Sequence, residues 1–236
     1  MIFMYHYLGT PPPGDRRQAL YVPPHEFRMH LQQLAAMGRR TVSPEEYAAE
    51  LEGGDAHQRS LAWLTFDDGQ IDNYDPGLAI LTEAGQRATF FIITDRSLTR
   101  NAAYVGPSQM REMLAAGMSI GSHTVSHPRL SQLTREQVRH ELRTSKAQLE
   151  DCLGVEITSL CYPYGDYNAM VAEEAREAGY ALAVTTCRGN RNTAHQRHEL
   201  LRVIAKPGLT WWRFRYLGSP AYHLLHGLKG RRRGKA

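Results

Sequence analysis

The chain has 236 residues, a formal net charge of +4 and 42% hydrophobic residues, enough apolar material for one sizeable core and a single domain. No stretch approaches the roughly 20 apolar residues of a membrane span, and Met1 to Tyr7 is too short for the apolar region of a signal peptide. Cys152, Cys161 and Cys187 are odd in number and form no Cys-x-x-Cys pair, which points away from a disulfide framework or a cysteine zinc knuckle and towards buried thiols. As written, the chain is expected in the cytoplasm or at a membrane periphery, and outside the cytoplasm if a leader has been removed.

In chain order, Ile2 to Tyr7 reads as a first strand, with His6 near its end. Ser43-Pro44-Glu45-Glu46 is a capping box with proline at the first helical position, and Gly53 can stop the helix it opens. Leu61 to Phe66 is the next strand and runs directly into Asp67-Asp68-Gly69. A helix ending at Gly85 leads to a strand over Ala88 to Ile93. Another, ending at Gly117, leads to Met118 to Ile120 and then to Gly121-Ser122-His123-Thr124-Val125-Ser126-His127-Pro128. Thr134-Arg135-Glu136-Gln137 is a second capping box. Its helix carries Val138, Leu142, Ser145, Leu149 and Cys152 as one buried stripe and closes at Gly154. Strands over Ile157 to Tyr162, Tyr180 to Thr185 and Leu201 to Ile204 follow, with Gly179 ending the helix between the first two. Seven strands alternating with helices read as an α/β domain, either a parallel barrel or an open doubly wound sheet.

His6, Asp67, Asp68, His123 and the Tyr162 to Gly165 segment all follow or end strands. In a parallel barrel those carboxyl ends form one rim, so residues some 160 positions apart can converge. Asp-Asp-Gly alone is commonly a turn. After a buried strand, however, two adjacent carboxylates repel unless a cation or a shared proton relieves them, and a metal ligand beside a general base meets both demands. Histidines four apart fit a helix or a tight loop, and Gly121 and Pro128 favour the loop. Two imidazoles with one carboxylate form a ligand set typical of catalytic zinc, leaving a position for water. Thr124 and Ser126 are expected to brace that loop, and Trp63 to be core rather than a sugar platform.

Residues 200–236 hold nine of the 28 Lys and Arg and none of the 24 Asp and Glu, so the body of the chain is acidic. This basic end also carries Trp211, Trp212, Phe214 and Tyr216. It suits peripheral contact with an anionic membrane or a phosphate-bearing substrate, or else a solubilising or disordered end. For the Trp211-Trp212 pair, packing is slightly favoured over sugar or membrane contact. An acidic body makes nucleic acid an unexpected partner.

Leu64 to Gly69, Ser122 to Pro128 and Cys161-Tyr162-Pro163-Tyr164-Gly165 resemble, in order and spacing, the three leading motifs of the polysaccharide deacetylases, the NodB-homology group or carbohydrate esterase family 4. The resemblance runs from about Met1 to Ile204. Met4-Tyr5-His6 is similar to the circularly permuted branch that includes the poly-N-acetylglucosamine deacetylases. It implies a distorted (β/α)7 TIM-like parallel barrel over 1–207, with 208–236 as a basic aromatic tail, partly packed or disordered.

The same resemblance implies a divalent metal, usually Zn2+ with Co2+ or Ni2+ in some relatives, held by Asp68, His123 and His127. Asp67 would be the general base. A backbone N–H at Tyr164, its turn fixed by Pro163, would bind the oxyanion with the metal. Most members take their general acid from a late leucine-x-histidine motif; resemblance to the permuted branch implies that His6 takes that role here. Cys161 stands where many members have arginine, and Arg202 is the candidate to reach the catalytic aspartate instead. Gln70 replaces an aromatic residue that relatives often carry. The implied reaction is removal of N-acetyl groups from amino sugars of a polysaccharide or lipid-linked glycan. Alternatives are deacylation of another amide or an O-acetyl ester, or a carbohydrate-binding barrel without turnover.

Overall fold

Ten short strands lie among the described residues: β1 (Ile2–Tyr5), β2 (Tyr7–Leu8), β3 (Tyr21–Val22), β4 (Arg40–Thr41), β5 (Leu61–Phe66), β6 (Thr89–Ile92), β7 (Ser119–Ser122), β8 (Ser159–Cys161), β9 (Leu182–Arg188) and β10 (Leu200–Ile204). The computed structural model describes residues 1–53, 60–99 and 101–233, with side chains described to residue 226. Seven strands close a ring in the order β1-β10-β9-β8-β7-β6-β5, and β5 pairs back to β1 with Phe3 opposite Leu64. All pairings are parallel. Closure decides between the two architectures left open by the pattern: the chain is a single-domain α/β barrel, not an open sheet.

Period-2 alternation explains the two apolar layers. On β5, Ala62, Leu64 and Phe66 point out to the helix layer, whereas Leu61 and Trp63 join Ile2, Phe91, Cys161, Val184 and Leu200 inside the ring. Trp63 is fully buried and donates its indole N–H to Thr89 Oγ1 at 2.8 Å, so it belongs to the core. Below it, Tyr47 and Leu51 of helix α2 (Pro44–Leu51) close the amino-terminal mouth. The barrel is distorted at β5. There β4 takes the edge beside Leu61 and Ala62, while β6 takes the same edge beside Thr65 and Phe66.

Helix α1 (Pro24–Ala36) precedes α2, and α3 (Gly77–Glu83), α4 (Thr94–Ser97), α5 (Pro107–Ala115), α6 (Arg135–Leu153) and α7 (Ala169–Glu177) alternate with the later strands. Both capping boxes form as expected, at Ser43 and Thr134. Gly154 ends α6 at φ 70°, a left-handed position that suits a residue without Cβ. The buried stripe of α6 comprises Val138, Leu142, Ser145 and Leu149, but Cys152 is only half-buried in the last turn. Cys187 is also half-buried, so only Cys161 is a fully buried thiol. The first expected strand breaks at His6, giving β1 and β2, because the His6 carbonyl accepts from Asn73 Nδ2 at 2.7 Å.

Beyond Pro207 the chain forms α8 (Trp211–Leu217) and α9 (Pro220–Arg233). Phe214 stacks on Phe3 at 5.2 Å, which binds α8 to the barrel. Phe214 and Leu217 take the buried face, leaving Trp211 and Trp212 exposed. The expectation that packing covers the indole pair is therefore overturned. The last residues of the basic end, 234–236, lie outside the described residues.

Candidate active site

The site is built on the carboxyl-terminal rim, where β1, β5, β7, β8 and β10 end. Asp67, the first residue past β5, is buried and gripped from inside the ring by Arg202 of β10. Guanidinium Nη1 and Nη2 donate to its two carboxylate oxygens, each at 2.7 Å. The remaining Arg202 donors reach Thr65 Oγ1 at 3.0 Å, the Thr185 carbonyl at 2.7 Å and Cys161 Sγ at 3.2 Å. All five N–H groups are thus engaged, and the bidentate pair fixes the plane of the carboxylate. Burial opposes ionisation of Asp67, but the Arg202 charge and hydrogen bonds outweigh it and hold the carboxyl below its ordinary range.

Asp68 turns the other way. Its Oδ1 lies 3.5 Å from His123 Nε2 and 3.5 Å from His127 Nε2. Ligands at tetrahedral angles on bonds of about 2.1 Å sit roughly 3.4 Å apart, so the three donor atoms are spaced to share one divalent ion. His123 Nδ1 donates to the Cys161 carbonyl at 2.7 Å, which leaves Nε2 to offer the lone pair a metal needs. Burial, with the His123 charge beside it, pushes His127 down to about 4, so that ring is neutral near neutral pH. At His123, Cys161 and Asp68 outweigh burial and hold the ring well above its ordinary value; a metal on Nε2 would have to displace that proton. A second cluster, Asp67, His123 and Cys161, is also close enough to hold an ion. It fits poorly: Arg202 occupies both Asp67 oxygens and donates to the Cys161 sulfur, which burial keeps protonated.

The histidines lie on a loop, as Gly121 and Pro128 implied. Thr124 Oγ1 accepts from the His127 amide at 3.0 Å. Ser126 Oγ donates to Glu141 Oε1 of α6 at 2.6 Å, and the Val125 and Ser126 amides donate to Glu141 Oε2. Glu141 is a residue that sequence reasoning missed. It flanks the buried stripe of α6 like any solvent-facing acid, and only the folded loop gives it partners.

His6 lies just past β1, with Nε2 3.8 Å from Asp67 Oδ2. Burial lowers its pKa against the opposing pull of Asp67 and Asp68. Across the rim, Pro163 starts a turn in which Tyr164 has φ 59° and Gly165 has φ 65°. A Cβ at Gly165 would lie 2.1 Å from Thr186 Oγ1, so this turn requires glycine there. The Tyr164 ring packs in a T-shaped arrangement with His127 at 4.6 Å and carries the Arg129 guanidinium over its face, also at 4.6 Å. Gln70 is buried and bridges to Tyr104, which brings an aromatic residue alongside the position where the motif lacks one.

Backbone strain marks the same region. Asp68, Thr124, His127 and Tyr164 are the non-glycine residues with positive φ among those described. Such conformations cost on the order of 1 kcal/mol or more and persist where surroundings impose them, most often at functional sites.

Comparison with known proteins agrees with this geometry. Residues 54–183 match the polysaccharide deacetylase family. The Bacillus subtilis (strain 168) protein YxkH, which carries that family's name, is 32% identical over 209 residues, 89% of this chain and 72% of its own length. The Listeria monocytogenes peptidoglycan-N-acetylglucosamine deacetylase PgdA is 33% identical over 47% of this chain, and the match spans 23% of PgdA. Among solved structures, Streptococcus pyogenes deacetylase PplD in complex with acetate superposes with a TM-score of 0.87 at 32% identity, covering 93% of this chain and 97% of PplD. IcaB from Ammonifex degensii shares the fold, with a TM-score of 0.77 at 22% identity over 92% of this chain and 96% of IcaB. Fold and rim together define a parallel-barrel hydrolase. More narrowly, the chain belongs to the polysaccharide deacetylase family.

Proposed function

We propose that this protein is a metal-dependent N-deacetylase of amino sugars in a polysaccharide or lipid-linked glycan. The observation that carries the reading is the division of labour at one rim: Asp67 clamped by Arg202, beside Asp68, His123 and His127 with donor atoms at ligand spacing. Those three residues would hold a divalent ion, Zn2+ being the ordinary choice for such a donor set. When bound, the ion supplies Lewis-acid polarisation and stabilises developing negative charge.

The chain's own groups supply the rest. Asp67, kept ionised by Arg202, accepts the proton of the attacking water as oxygen adds to the acetamide carbonyl carbon. The Tyr164 amide, presented by the Pro163 turn, donates to the oxyanion. His6 delivers a proton to the amine nitrogen as the carbon–nitrogen bond breaks, leaving acetate and a free amino sugar. Its position across Asp67 suits that exchange, since a short movement lets one group reprotonate the other. The Tyr164 ring and Arg129 form an aromatic, cationic wall beside the site that suits a sugar face with polar substituents.

The test is acetate release from N-acetylglucosamine oligomers and peptidoglycan fragments, with metal content measured in parallel and the assay repeated after chelation. Acetate and free amine should appear in equal amounts, vanish on chelation and return with added Zn2+. Acetate without amine would assign O-acetyl ester hydrolysis. Metal-loaded protein releasing no acetate from any of these glycans would contradict the reading.

A further inference from the structure

The catalytic rim leaves the C-terminal helices unexplained. Single exposed apolar side chains are ordinary, but grouped large ones mark interaction surfaces; the neighbouring Trp211 and Trp212 of α8 are 60% and 55% exposed, and Leu224 and Leu225 of α9 are 67% and 55% exposed. Their surroundings are cationic. Arg213 stacks over the Trp212 ring at 5.0 Å and Arg215 over Trp211 at 5.9 Å, while the sequence continues into Lys229, Arg231, Arg232, Arg233 and Lys235. Not one Asp or Glu follows Glu199. Indoles settle at the level of lipid headgroups, and each nearby Lys or Arg adds attraction to anionic lipid.

The helices are firmly seated, so this surface is presented rather than dangling. Phe214 packs on Phe3 and His30, Tyr222 is buried, and Asn190 Nδ2 donates to the Leu217 and Ser219 carbonyls. The indole end of α8 lies towards the catalytic rim. It follows the carboxyl end of β10 after a six-residue link, in which the Gly208 amide donates to Glu26 in the first turn of α1. Gly218, at the opposite end of α8, lies beside Met37 and Arg39, just past the end of α1.

We infer that Trp211, Trp212 and the surrounding arginines form a docking surface for an anionic lipid bilayer. A bilayer bound there would bring the rim close to membrane-proximal glycans. The surface stands independently of the deacetylase reading, because none of these residues touches the site.

The test uses the full chain and vesicles of phosphatidylcholine with phosphatidylglycerol, against phosphatidylcholine alone. The chain has three tryptophans and Trp63 is buried, so a change in indole emission reports on Trp211 and Trp212. Anionic vesicles should sediment the protein and shift emission to the blue; neutral vesicles should do neither. The double variant Trp211→Ser/Trp212→Ser should bind anionic vesicles at least about tenfold more weakly while hydrolysing a soluble oligomer at the parent rate. Arg213→Gln/Arg215→Gln should weaken binding and reduce its salt dependence. Equal vesicle binding by the tryptophan variant would overturn the inference. So would sedimentation without an emission shift, or preferential binding to a soluble polyanion, which would assign the surface to a charged polymer.

Discussion

Arg202 places every N–H donor it has inside the barrel, and its principal task is the Asp67 carboxylate. Removing the cation leaves a buried charge without compensation. Arg202→Met is therefore expected to lower unfolding free energy by about 3–5 kcal/mol, measured by urea denaturation. The sign with pH follows from the depressed Asp67 pKa: the pair's contribution is present above the ordinary carboxylate range and lost as pH falls through the lower folded value. Arg202→Met should thus lose most stability near neutrality, and an unchanged denaturation midpoint there would exclude the clamp. His6→Gln should reduce turnover by about 10²–10⁴-fold at unchanged metal content, since it would remove the proposed proton donor and none of the proposed ligands. Parent-like turnover would move the acid role elsewhere. The Asp67, Asp68, His123 and His127 cluster was legible because each residue sits in a local motif. Arg202 was legible only as a candidate, because it meets Asp67 across 135 residues through the barrel interior. Arg129 and Glu141 gave no signal, since a charged side chain in a loop or on a helix flank looks the same until its partner arrives.

At the scale of elements, the histidine loop depends on α6. Two of its residues, Thr124 and His127, are left-handed without being glycine, and Glu141 accepts three hydrogen bonds from the loop. Glu141→Ala should reduce Zn2+ affinity by about 10–100-fold in competition with a chromophoric chelator, the usual range for a group that positions ligands. Glu141→Gln, which keeps an accepting oxygen, should recover part of that loss. Equal affinity in all three proteins would show that the loop holds itself. Both capping boxes and the α6 stripe were readable because helix ends and periodicity are local. β2, β3 and β4 were not: two residues carry no alternation, and these strands exist through pairing with distant partners. The exposure of Trp211 and Trp212 was likewise invisible, because either helix face could have been the buried one.

At the scale of the molecule, ring closure brings one carboxyl-terminal rim together from residues 6 to 202, and β1 pairing with both β5 and β10 completes it. The alternation of strand and helix was readable; closure was not in that pattern, which an open sheet shares, and was legible only through the motif resemblance, which implied the barrel that forms. Beside the rim, Asp72 accepts from the Asn73 side chain, which also holds the His6 carbonyl. Burial raises the Asp72 carboxyl to about 6, against hydrogen bonds from the Leu8 amide and Asn73. A raised folded pKa gives stability that is full below the ordinary carboxylate range and lost as pH rises through about 6. Asp72→Asn should therefore stabilise the protein by about 1–2 kcal/mol near pH 8, allowing for partial solvent exposure, and change little near pH 4. Thermal unfolding at the two pH values checks this, and equal shifts at both would contradict it.

The account stands on adjacent aspartates with different tasks, and the most direct measurement is metal content and turnover together in Asp67→Asn and Asp68→Asn. Asp67→Asn is expected to keep one divalent ion per chain while acetate release falls by about 10³-fold or more; Asp68→Asn should lose the ion and the activity together. Loss of metal from Asp67→Asn, or full turnover in that variant, would contradict the division.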